Sequence, residues 1–212
     1  MKRRSDEEIS APLYEYDAAV RAQYGCFAGV DEAGRGPLCG PVCVAACILD
    51  PENPVQGIND SKKLTPARRE LLSVKIAEVA TAIGFCHIAP ADIDEMGMAR
   101  AIRTAVAGAV ADTGLEPDCV LMDGNPLGAV PNERDVVKGD AKIACIAAAS
   151  IMAKVTRDEM MVEYDAEYPE YHLAESKGYA SPEHIEAIRK HGLCPLHRVS
   201  FCGNFLQTER LF

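Results

Sequence analysis

Short runs of hydrophobic residues, bounded by glycine and proline, indicate the strands of this chain. Residues 26–32 and 42–49 are apolar, rich in Val and Cys, and flanked by Gly and Pro, which is typical of buried strands. Three further segments have the length of strands, at 83–89, 119–122 and 135–138, and the last of them is the least apolar. The hydrophobic pattern therefore predicts five strands.

A helical period is clearest between the second and third strands. Residues 65–82 place four apolar side chains on one side of a helix: Leu71, Leu72, Ile76 and Val79. Thr65 is a suitable N-cap, Pro66 suits the first helical position, and Gly84 follows the end of the segment. These signals predict an amphipathic helix.

Further helices are predicted after the third strand. Residues 90–113 have helical spacing. Residues 143–155 are Ala-rich and apolar on nearly every side, which indicates a helix packed inside the protein, and this helix runs on until Pro169. A last helix begins at residues 181–183 and closes near Gly192.

Strands and helices in this order are typical of an α/β layer fold. The chain has 212 residues, of which 48% are hydrophobic and 25% charged, and no repeat or linker divides it, so we expect one domain. It contains no run of about 18 apolar residues. Its first ten residues carry mixed charges with no apolar stretch after them. We therefore expect neither a membrane span nor a secretory signal.

The cysteines and the net charge indicate a compartment and restrict the partners. The nine cysteines are an odd number without a Cys-x-x-Cys pair, so a zinc ribbon or finger is not expected. Cys39, Cys43 and Cys47 fall in an apolar stretch and are interpreted as small hydrophobic residues. Unpaired cysteines fit a reducing cytoplasm. The net charge of -10 is unusual for a protein that binds nucleic acid, and it predicts a modest, salt-sensitive affinity.

Four carboxylates are candidates for chemistry because each lies at the edge of a predicted element. Asp31 and Glu32 end the first strand, and Asp123 ends the fourth. Asp140 precedes the buried helix. Carboxylates at strand ends can converge at one edge of an α/β sheet, and paired carboxylates bind hard divalent cations.

Each of these acids also has a purely structural interpretation. Asp123 stands before Gly124 and suits a turn, and Asp140 suits the cap of the following helix. Asp31 and Glu32 are adjacent, and adjacent residues of a strand point to opposite faces. Both reach one site only if the strand breaks up at Glu32, which the glycines that follow favour.

The residues after these two acids suit a phosphate. Residues 29–38 read Gly-Val-Asp-Glu-Ala-Gly-Arg-Gly-Pro-Leu. In the loop of Gly34, Arg35 and Gly36, an arginine between two glycines can approach a phosphodiester closely, because no Cβ keeps the backbone away. Metal ligands beside a phosphate-sized loop predict phosphoryl chemistry.

This decapeptide resembles the first signature of type 2 ribonuclease H, the ribonuclease HII family. The segments around Asp123, Asp140 and Tyr179 (Met-Asp-Gly-Asn, Lys-Gly-Asp-Ala-Lys and Lys-Gly-Tyr-Ala-Ser) resemble later signatures in the same order. The resemblance runs from residue 27 to residue 201. It implies a ribonuclease H-like fold, with a five-stranded mixed sheet flanked by helices and a C-terminal helical portion.

The resemblance also implies a reaction. Ribonuclease HII enzymes hold two Mg²⁺ or Mn²⁺ ions with four acids, which match Asp31, Glu32, Asp123 and Asp140 here. Asp31 would bridge the ions, and the other three acids would complete their shells. The implied activity is endonucleolytic: hydrolysis of the RNA strand of RNA–DNA hybrids, and cleavage 5′ to single ribonucleotides in duplex DNA. The products carry 3′-hydroxyl and 5′-phosphate ends, as ribonucleotide excision and primer removal in DNA replication require.

Substrate contacts follow from the same resemblance. The loop at 34–36 would read the 2′-hydroxyl that distinguishes RNA from DNA, and Tyr179 would stack on the following sugar. Lys62 and Lys63, in Asp-Ser-Lys-Lys-Leu, would meet backbone phosphates. From the residues alone, Tyr179 is interpreted as a core aromatic residue whose hydroxyl group reaches solvent, and the two lysines as side chains of an exposed loop. Three more residues are family-like. Lys154 would support the site or extend from the buried helix towards solvent, and a structural role in the C-terminal region is expected for His197 and Arg198.

Two other functions stay open at this point. A DNA nuclease or resolvase on the same fold would cut an all-DNA substrate, although the Gly-Arg-Gly loop weighs against it. A non-catalytic module would bind hybrids without cutting them, although all four acids are present. The expected partners of the enzyme are RNA–DNA hybrids and ribonucleotide-containing DNA, with no membrane partner and a monomeric state.

The two ends of the chain lie outside the resemblance. We expect residues 25–212 to form the catalytic domain and residues 1–24 an N-terminal extension, whose order the sequence does not show. Residues 207–212 resemble the short peptides by which bacterial replication proteins dock on the sliding clamp. A frayed tail, or a helix end packed by Leu211 and Phe212, is the alternative.

Overall fold

A single mixed sheet forms the centre of the molecule. The computed structural model describes residues 4–124 and 127–206. The sheet has the strand order β3-β2-β1-β4-β5. Its strands are β1 (Phe27–Ala33), β2 (Val42–Ile48), β3 (Ala82–Ile88), β4 (Cys119–Asp123) and β5 (Glu133–Val136). The β1–β2 and β2–β3 pairs are antiparallel, whereas β1–β4 and β4–β5 are parallel. The five predicted strands are confirmed.

Eight α-helices are present in the described part of the chain. They are α1 (Asp6–Tyr24), α2 (Pro66–Val79), α3 (Pro90–Met96), α4 (Met98–Asp112), α5 (Ala144–Glu167), α6 (Leu173–Ser176), α7 (Pro182–His191) and α8 (Val199–Cys202). Helices α1, α2 and α5 share one hydrophobic core with the sheet, and α3 and α4 share another. Helices α6 to α8 form the predicted C-terminal helical portion around a third cluster. None of the helices in these ranges is long and apolar enough to cross a membrane.

Local signals located the starts of α2 and α7 but not the end of α2. This helix ends at Val79, before residue 82, because the chain continues into β3, and Gly84 lies within that strand. Thr65 and Ser181 accept the predicted N-cap hydrogen bonds of α2 and α7. The helical segments predicted at 90–113 are two helices, α3 and α4, separated at Gly97, whose φ of +79° interrupts the helical conformation. The placement of Leu71 on the buried face of α2 was wrong: its side chain is 48% exposed.

Helix α5 is the element that brings the sheet and the rest of the fold together. Its first half is built almost entirely of buried residues, as the all-round apolar sequence predicts. It packs so closely on β1 that a Cβ at Gly29 would overlap the backbone of Cys145 and Ile146. Glycine is therefore required at this position, and the close approach fixes β1 against the N-terminal half of α5.

The N-terminus of α5 is capped by a side chain from another helix. The α5 N-cap, Ile143, has no side-chain acceptor. Instead, the buried carboxylate of Asp17, on α1, accepts hydrogen bonds from the N–H groups of Ala144 at 2.8 Å and Cys145 at 3.2 Å. Two of the four N–H groups that a helix start leaves unpaired are thereby satisfied. The segment before the family resemblance is thus an ordered helix that supports the core.

We expect the Asp17→Ala substitution to lower the free energy of unfolding by about 1–3 kcal/mol, because two buried N–H groups lose their acceptor. Asp17→Asn keeps one acceptor oxygen and should lose less. Glu15→Ala, at an exposed position of the same helix, is the matched control. Urea unfolding of the three variants measures the differences. Equal stability of Asp17→Ala and Glu15→Ala would show that α1 does not cap α5.

Candidate active site

The candidate acids lie at the ends of two neighbouring parallel strands. Residue Val30 of β1 pairs with Met122 of β4, so Asp31 and Asp123 follow at the same edge of the sheet. The expectation that β1 breaks up at Glu32 was wrong, because the strand continues through Glu32 to Ala33, paired with β2. Asp31 and Glu32 therefore leave the strand on opposite sides.

Although Asp31 and Glu32 point to opposite sides of β1, all four acids line two adjoining clefts at this edge of the sheet. One cleft, of about 760 Å³, is lined by Glu32, Asp123 and Asp140. The other, of about 300 Å³, is lined by Asp31, Glu32 and Asp123. Glu32 and Asp123 line both clefts, so they connect Asp31 on one side with Asp140 on the other.

Three of the four carboxyl groups have raised pKa values. Burial raises the pKa of Asp31 to about 7, and the charges of Glu32 and Asp123 add to the rise, while a hydrogen bond from Ser150 opposes it. Burial also raises the pKa of Glu32 and of Asp140, and in both cases the charge of Asp123 contributes. The carboxylates of the site therefore repel one another. A bound cation would remove this repulsion.

Asp140 does not cap helix α5. It lies, buried, in a short 3₁₀ turn (Gly139–Ala141) that precedes the helix, and Asp17 supplies the helix cap instead. The turn is held against β4 because the N–H of Gly139 donates to Asp123 Oδ1 at 2.7 Å. This hydrogen bond sets the position of Asp140 relative to Asp123.

The predicted lysines lie on a second 3₁₀ turn (Ser61–Lys63) beside the acids. Lys62 Nζ is 3.4 Å from Asp140 Oδ2, and Lys63 Nζ is 3.5 Å from Asp60 Oδ2. Both lysine side chains are well exposed at the rim of the larger cleft. Lys154 lines the smaller cleft and pairs with Asp158 at 2.7 Å.

The Gly-Arg-Gly loop forms one wall of the smaller cleft. Gly34 has a φ of +92°, and a Cβ there would overlap the side chain of Arg157, so glycine is required. The Arg35 side chain is 68% exposed and lies 3.6 Å from Glu32. Tyr179 is 47% exposed, and its Cε1 would lie 3.9 Å from a Cβ at Gly36. The structure therefore brings the loop and the predicted aromatic residue to the same wall.

Two buried arginines hold this loop in place: Arg198, for which a structural role was expected, and Arg157, which the sequence analysis missed. The Arg198 guanidinium donates to the carbonyl oxygens of Gly34, Arg35, Pro37 and Gly40 at 2.7–3.2 Å. The Arg157 guanidinium donates to Pro41, Cys39 and Lys177 at 2.9–3.1 Å. Burial and the neighbouring Arg157 lower the pKa of Arg198 to about 10, so it stays charged at neutral pH. The shape of the loop thus depends on donors that are distant in sequence.

A pair of buried histidines extends this support to Tyr179. His184 Nδ1 lies 2.8 Å from the carbonyl oxygen of Tyr179, so this nitrogen is the one that carries the proton. His184 Nε2 then accepts from His197 Nε2, 3.1 Å away. Burial lowers the pKa of His184, which favours its neutral form. The hydrogen bonds fix the backbone of Tyr179 and assign His197 a structural position.

The donor set at the sheet edge consists of carboxylate oxygens, which suit hard divalent cations such as Mg²⁺ and Mn²⁺. The donors are not drawn tightly together. Within the described ranges, no three of these carboxylates have oxygens that all lie within 4.8 Å of one another. Mutual repulsion of uncompensated carboxylates explains this open arrangement. Both the charge and the donor type of these residues fit divalent cations.

Comparisons with known proteins agree with this fold. The crystal structure of the ribonuclease H2 from Pyrococcus horikoshii OT3 is similar with a TM-score of 0.71 and 29% identity, covering 82% of this chain and 92% of that one. The fold is therefore the ribonuclease H-like fold, and the class of protein is the ribonuclease H nucleases.

Sequence comparison is more specific. The family model described as Ribonuclease HII matches residues 28–204. The ribonuclease HII of Ruminiclostridium cellulolyticum is 46% identical over 205 residues, covering 96% of this chain and 80% of the relative. That of Vibrio vulnificus is 47% identical over 196 residues, covering 92% and 93%. The chain belongs to the ribonuclease HII family.

Proposed function

We propose that this ribonuclease H cleaves the RNA strand of RNA–DNA hybrids and cuts duplex DNA on the 5′ side of a single embedded ribonucleotide. The observation that carries the proposal is the junction of the two clefts. Glu32 and Asp123 line both clefts there, Asp31 lines the smaller and Asp140 the larger, and the Gly-Arg-Gly loop and Tyr179 lie on the wall of the smaller cleft. A phosphodiester at the acids would place its flanking sugars along this wall.

Asp31, Glu32, Asp123 and Asp140 would hold the divalent cations, Mg²⁺ or Mn²⁺, that this chemistry uses. When bound, two such ions supply activation of a water and stabilisation of the leaving oxygen. Asp31 is buried and close enough to Glu32 and Asp123 for their charges to raise its pKa, so a cation held by these acids would be near its carboxylate. The N–H of Glu32 donates to Asp31 Oδ1 at 2.8 Å, which orients the carboxylate.

Recognition of the ribonucleotide would come from the loop backbone. The carbonyl oxygens of Gly34 and Arg35 already accept from Arg198, so the N–H groups of the loop would contact the 2′-hydroxyl, which is the group that distinguishes RNA from DNA. The exposed guanidinium of Arg35 would contact the phosphodiester, and Lys62 and Lys63 would contact phosphates across the larger cleft. These basic side chains would lie along the path of the substrate, which would offset locally the net negative charge of the chain.

The remaining expectations are part of this proposal. Residues 25–212 would be the catalytic domain of a cytoplasmic monomer that acts in ribonucleotide excision and DNA replication. Residues 1–24 would be an extension whose helix α1 packs on that domain. Residues 207–212, which resemble clamp-binding peptides, lie outside the described residues, so docking on a sliding clamp remains a prediction.

Three duplexes of one sequence test the proposed function. They are an RNA–DNA hybrid, DNA with one embedded ribonucleotide, and DNA alone, each incubated with the protein and Mg²⁺ or with a chelator. We expect cleavage of the first two, only when metal is present. Cleavage of the all-DNA duplex would favour a DNA nuclease, and binding without cleavage would favour a non-catalytic module.

Tyr179 should contribute through its ring. Stacking on a sugar needs an aromatic face, and comparable stacking contacts are worth roughly 1–3 kcal/mol. Tyr179→Ala should therefore cut activity on the single ribonucleotide by about 10-fold or more, whereas Tyr179→Phe should keep most of it. Arg35→Ala should also weaken cleavage, because it removes a fork of donors from the backbone. Initial rates on the single-ribonucleotide duplex measure these effects.

A hybrid with a long RNA tract is the comparison substrate, since it offers many alternative registers. Losses in Tyr179→Ala and Arg35→Ala should be smaller there at equal salt and Mg²⁺. Equal losses for Tyr179→Ala and Tyr179→Phe would rule out the stacking role. An unchanged ratio between the two substrates in every variant would mean that the junction is read elsewhere.

A further inference from the structure

Two thiols and one imidazole from distant parts of the chain meet behind the Gly-Arg-Gly loop. Cys39 follows the loop, and Cys194 and His197 lie between α7 and α8. One ligand atom of each residue lies within 4.8 Å of those of the other two. In residues 4–124 and 127–206, no other group of three or more His, Cys, Asp or Glu side chains is this compact. Cys39 and His197 also form an isolated antiparallel bridge, so the backbone fixes their approach.

We propose that Cys39 Sγ, Cys194 Sγ and His197 Nδ1 bind one Zn²⁺ ion. Two sulfurs and an imidazole nitrogen are the ligands that Zn²⁺ prefers, in contrast to the all-oxygen set of the candidate active site. A tetrahedral ion with bonds of about 2.0–2.3 Å holds its ligand atoms about 3.5–3.8 Å apart. The observed separations, from 3.1 Å between Cys194 Sγ and His197 Nδ1 to at most 4.8 Å, span this range. To admit the ion, the lone pair of His197 Nδ1 would exchange its hydrogen bond from the Cys194 N–H for a bond to the metal.

His197 already has the orientation that a metal ligand needs. The N–H of Cys194 donates to His197 Nδ1 at 3.1 Å, so this nitrogen carries the lone pair and not the proton. The other ring nitrogen, Nε2, donates to His184. Histidines that bind metals usually donate their second N–H group in this way, which fixes the tautomer and the ring. His184 is thereby the supporting residue of the site.

Both thiols would bind the ion as thiolates, so metal binding would release their protons. The Cys39 side chain is buried, whereas Cys194 is half-buried. The buried guanidinium groups of Arg157 and Arg198 lie close enough to Cys39 to stabilise its thiolate. Cys194 is partly exposed and offers a route of entry and a place for a water ligand.

An ion at this site would tie the C-terminal portion to the segment that follows the loop. The two parts are already joined by hydrogen bonds of 2.8 Å from Gly40 to Leu196 and from Arg198 to Leu38. Zn²⁺ would add direct bonds across the same contact. Because a ligand that binds only the folded state stabilises it, the ion should raise the temperature of unfolding. The site is therefore structural in effect and separate from the four acids.

The test uses the full-length, reduced, metal-free protein with excess Mg²⁺ present to occupy oxygen sites. Zn²⁺ is added, and its binding is measured by native mass spectrometry and by competition with a chromogenic chelator. Co²⁺ is added in a parallel sample, because only thiolate ligands give a sulfur-to-cobalt charge-transfer band. We expect one Zn²⁺ per chain, the cobalt band, and a higher temperature of unfolding.

Cys39→Ser and Cys194→Ser should each weaken Zn²⁺ binding by at least about 10-fold and remove or alter the cobalt band. The matched control is Cys26→Ser, a partly exposed cysteine outside the cluster, which should behave as the wild type. Circular dichroism verifies that each variant folds, and Cys194→Ser, at the less buried position, keeps the test valid if Cys39→Ser does not fold. The proposal is overturned if the wild type binds no Zn²⁺, if both variants bind it as well as the control, or if the reduced wild type yields a Cys39–Cys194 disulfide in place of bound metal.

Discussion

Replacing Asp140 by Asn should reduce cleavage by more than about 100-fold while the protein stays folded. A neutral amide binds a divalent cation poorly, and loss of one group that stabilises charge in a transition state typically costs two to three orders of magnitude. The substitution is nearly isosteric, and Asp140 makes no cap for α5. In the absence of metal, the variant should be at least as stable as the wild type, because the pKa of Asp140 is raised by burial and by the charge of Asp123.

The matched control is Asp135→Asn, an exposed acid on β5. It removes the same charge from the same edge of the sheet without touching the clefts, and it should cleave at the wild-type rate. Initial rates on an RNA–DNA hybrid at saturating Mg²⁺ compare the three proteins. If Asp140→Asn cleaves as fast as Asp135→Asn, Asp140 is not a ligand and the four-acid site is wrong.

Replacing Arg198 by Lys should cost about 2–4 kcal/mol of stability and at least 10-fold in activity. The guanidinium makes five hydrogen bonds to carbonyl oxygens of the loop segment between Gly34 and Gly40. One ammonium cannot reproduce that planar fork, so buried carbonyl groups and a buried charge lose partners. The loop should then relax away from the geometry that the candidate active site requires.

Arg189→Lys, at an exposed position of α7, is the control for the same change of residue type. Urea unfolding gives the stability difference, and cleavage of the single-ribonucleotide duplex gives the activity. A folded Arg198→Lys protein with unchanged stability and rate would show that the loop holds its shape without these hydrogen bonds. Loss of stability with full activity would show that Arg198 stabilises the fold but is not needed for the geometry of the active site.

The sequence predicted those parts of the structure that depend on neighbouring residues. Strands follow from short apolar runs, and the starts of α2 and α7 follow from Thr65 and Ser181, because a cap and its helix are adjacent in the chain. The exposure of Leu71 could not be read in the same way, since the width of the buried face depends on what packs against it. The boundary between α3 and α4 could not be located from the sequence, because a single glycine, Gly97, was its only signal.

The candidate site was only partly predictable. The acids could be located because strand ends converge at a sheet edge, yet the way in which they meet was not foreseen. Asp31 and Glu32 both remain on the regular strand β1. Both nevertheless line the smaller cleft. The roles of Asp17, Arg157 and Arg198 depend on contacts between residues far apart in sequence, which no local pattern encodes. The cluster of Cys39 with Cys194 is hidden for the same reason.

The central claim is tested most directly by the position and the end groups of a single cut. A DNA duplex with one ribonucleotide, labelled at both ends of the cut strand, is incubated with the protein and Mg²⁺. The account predicts one cut on the 5′ side of the ribonucleotide, which leaves a 3′-hydroxyl on the upstream DNA and a 5′-phosphate on the ribonucleotide. A cut on the 3′ side, a 3′-phosphate or cyclic phosphate end, or equal cutting with a chelator present would contradict it.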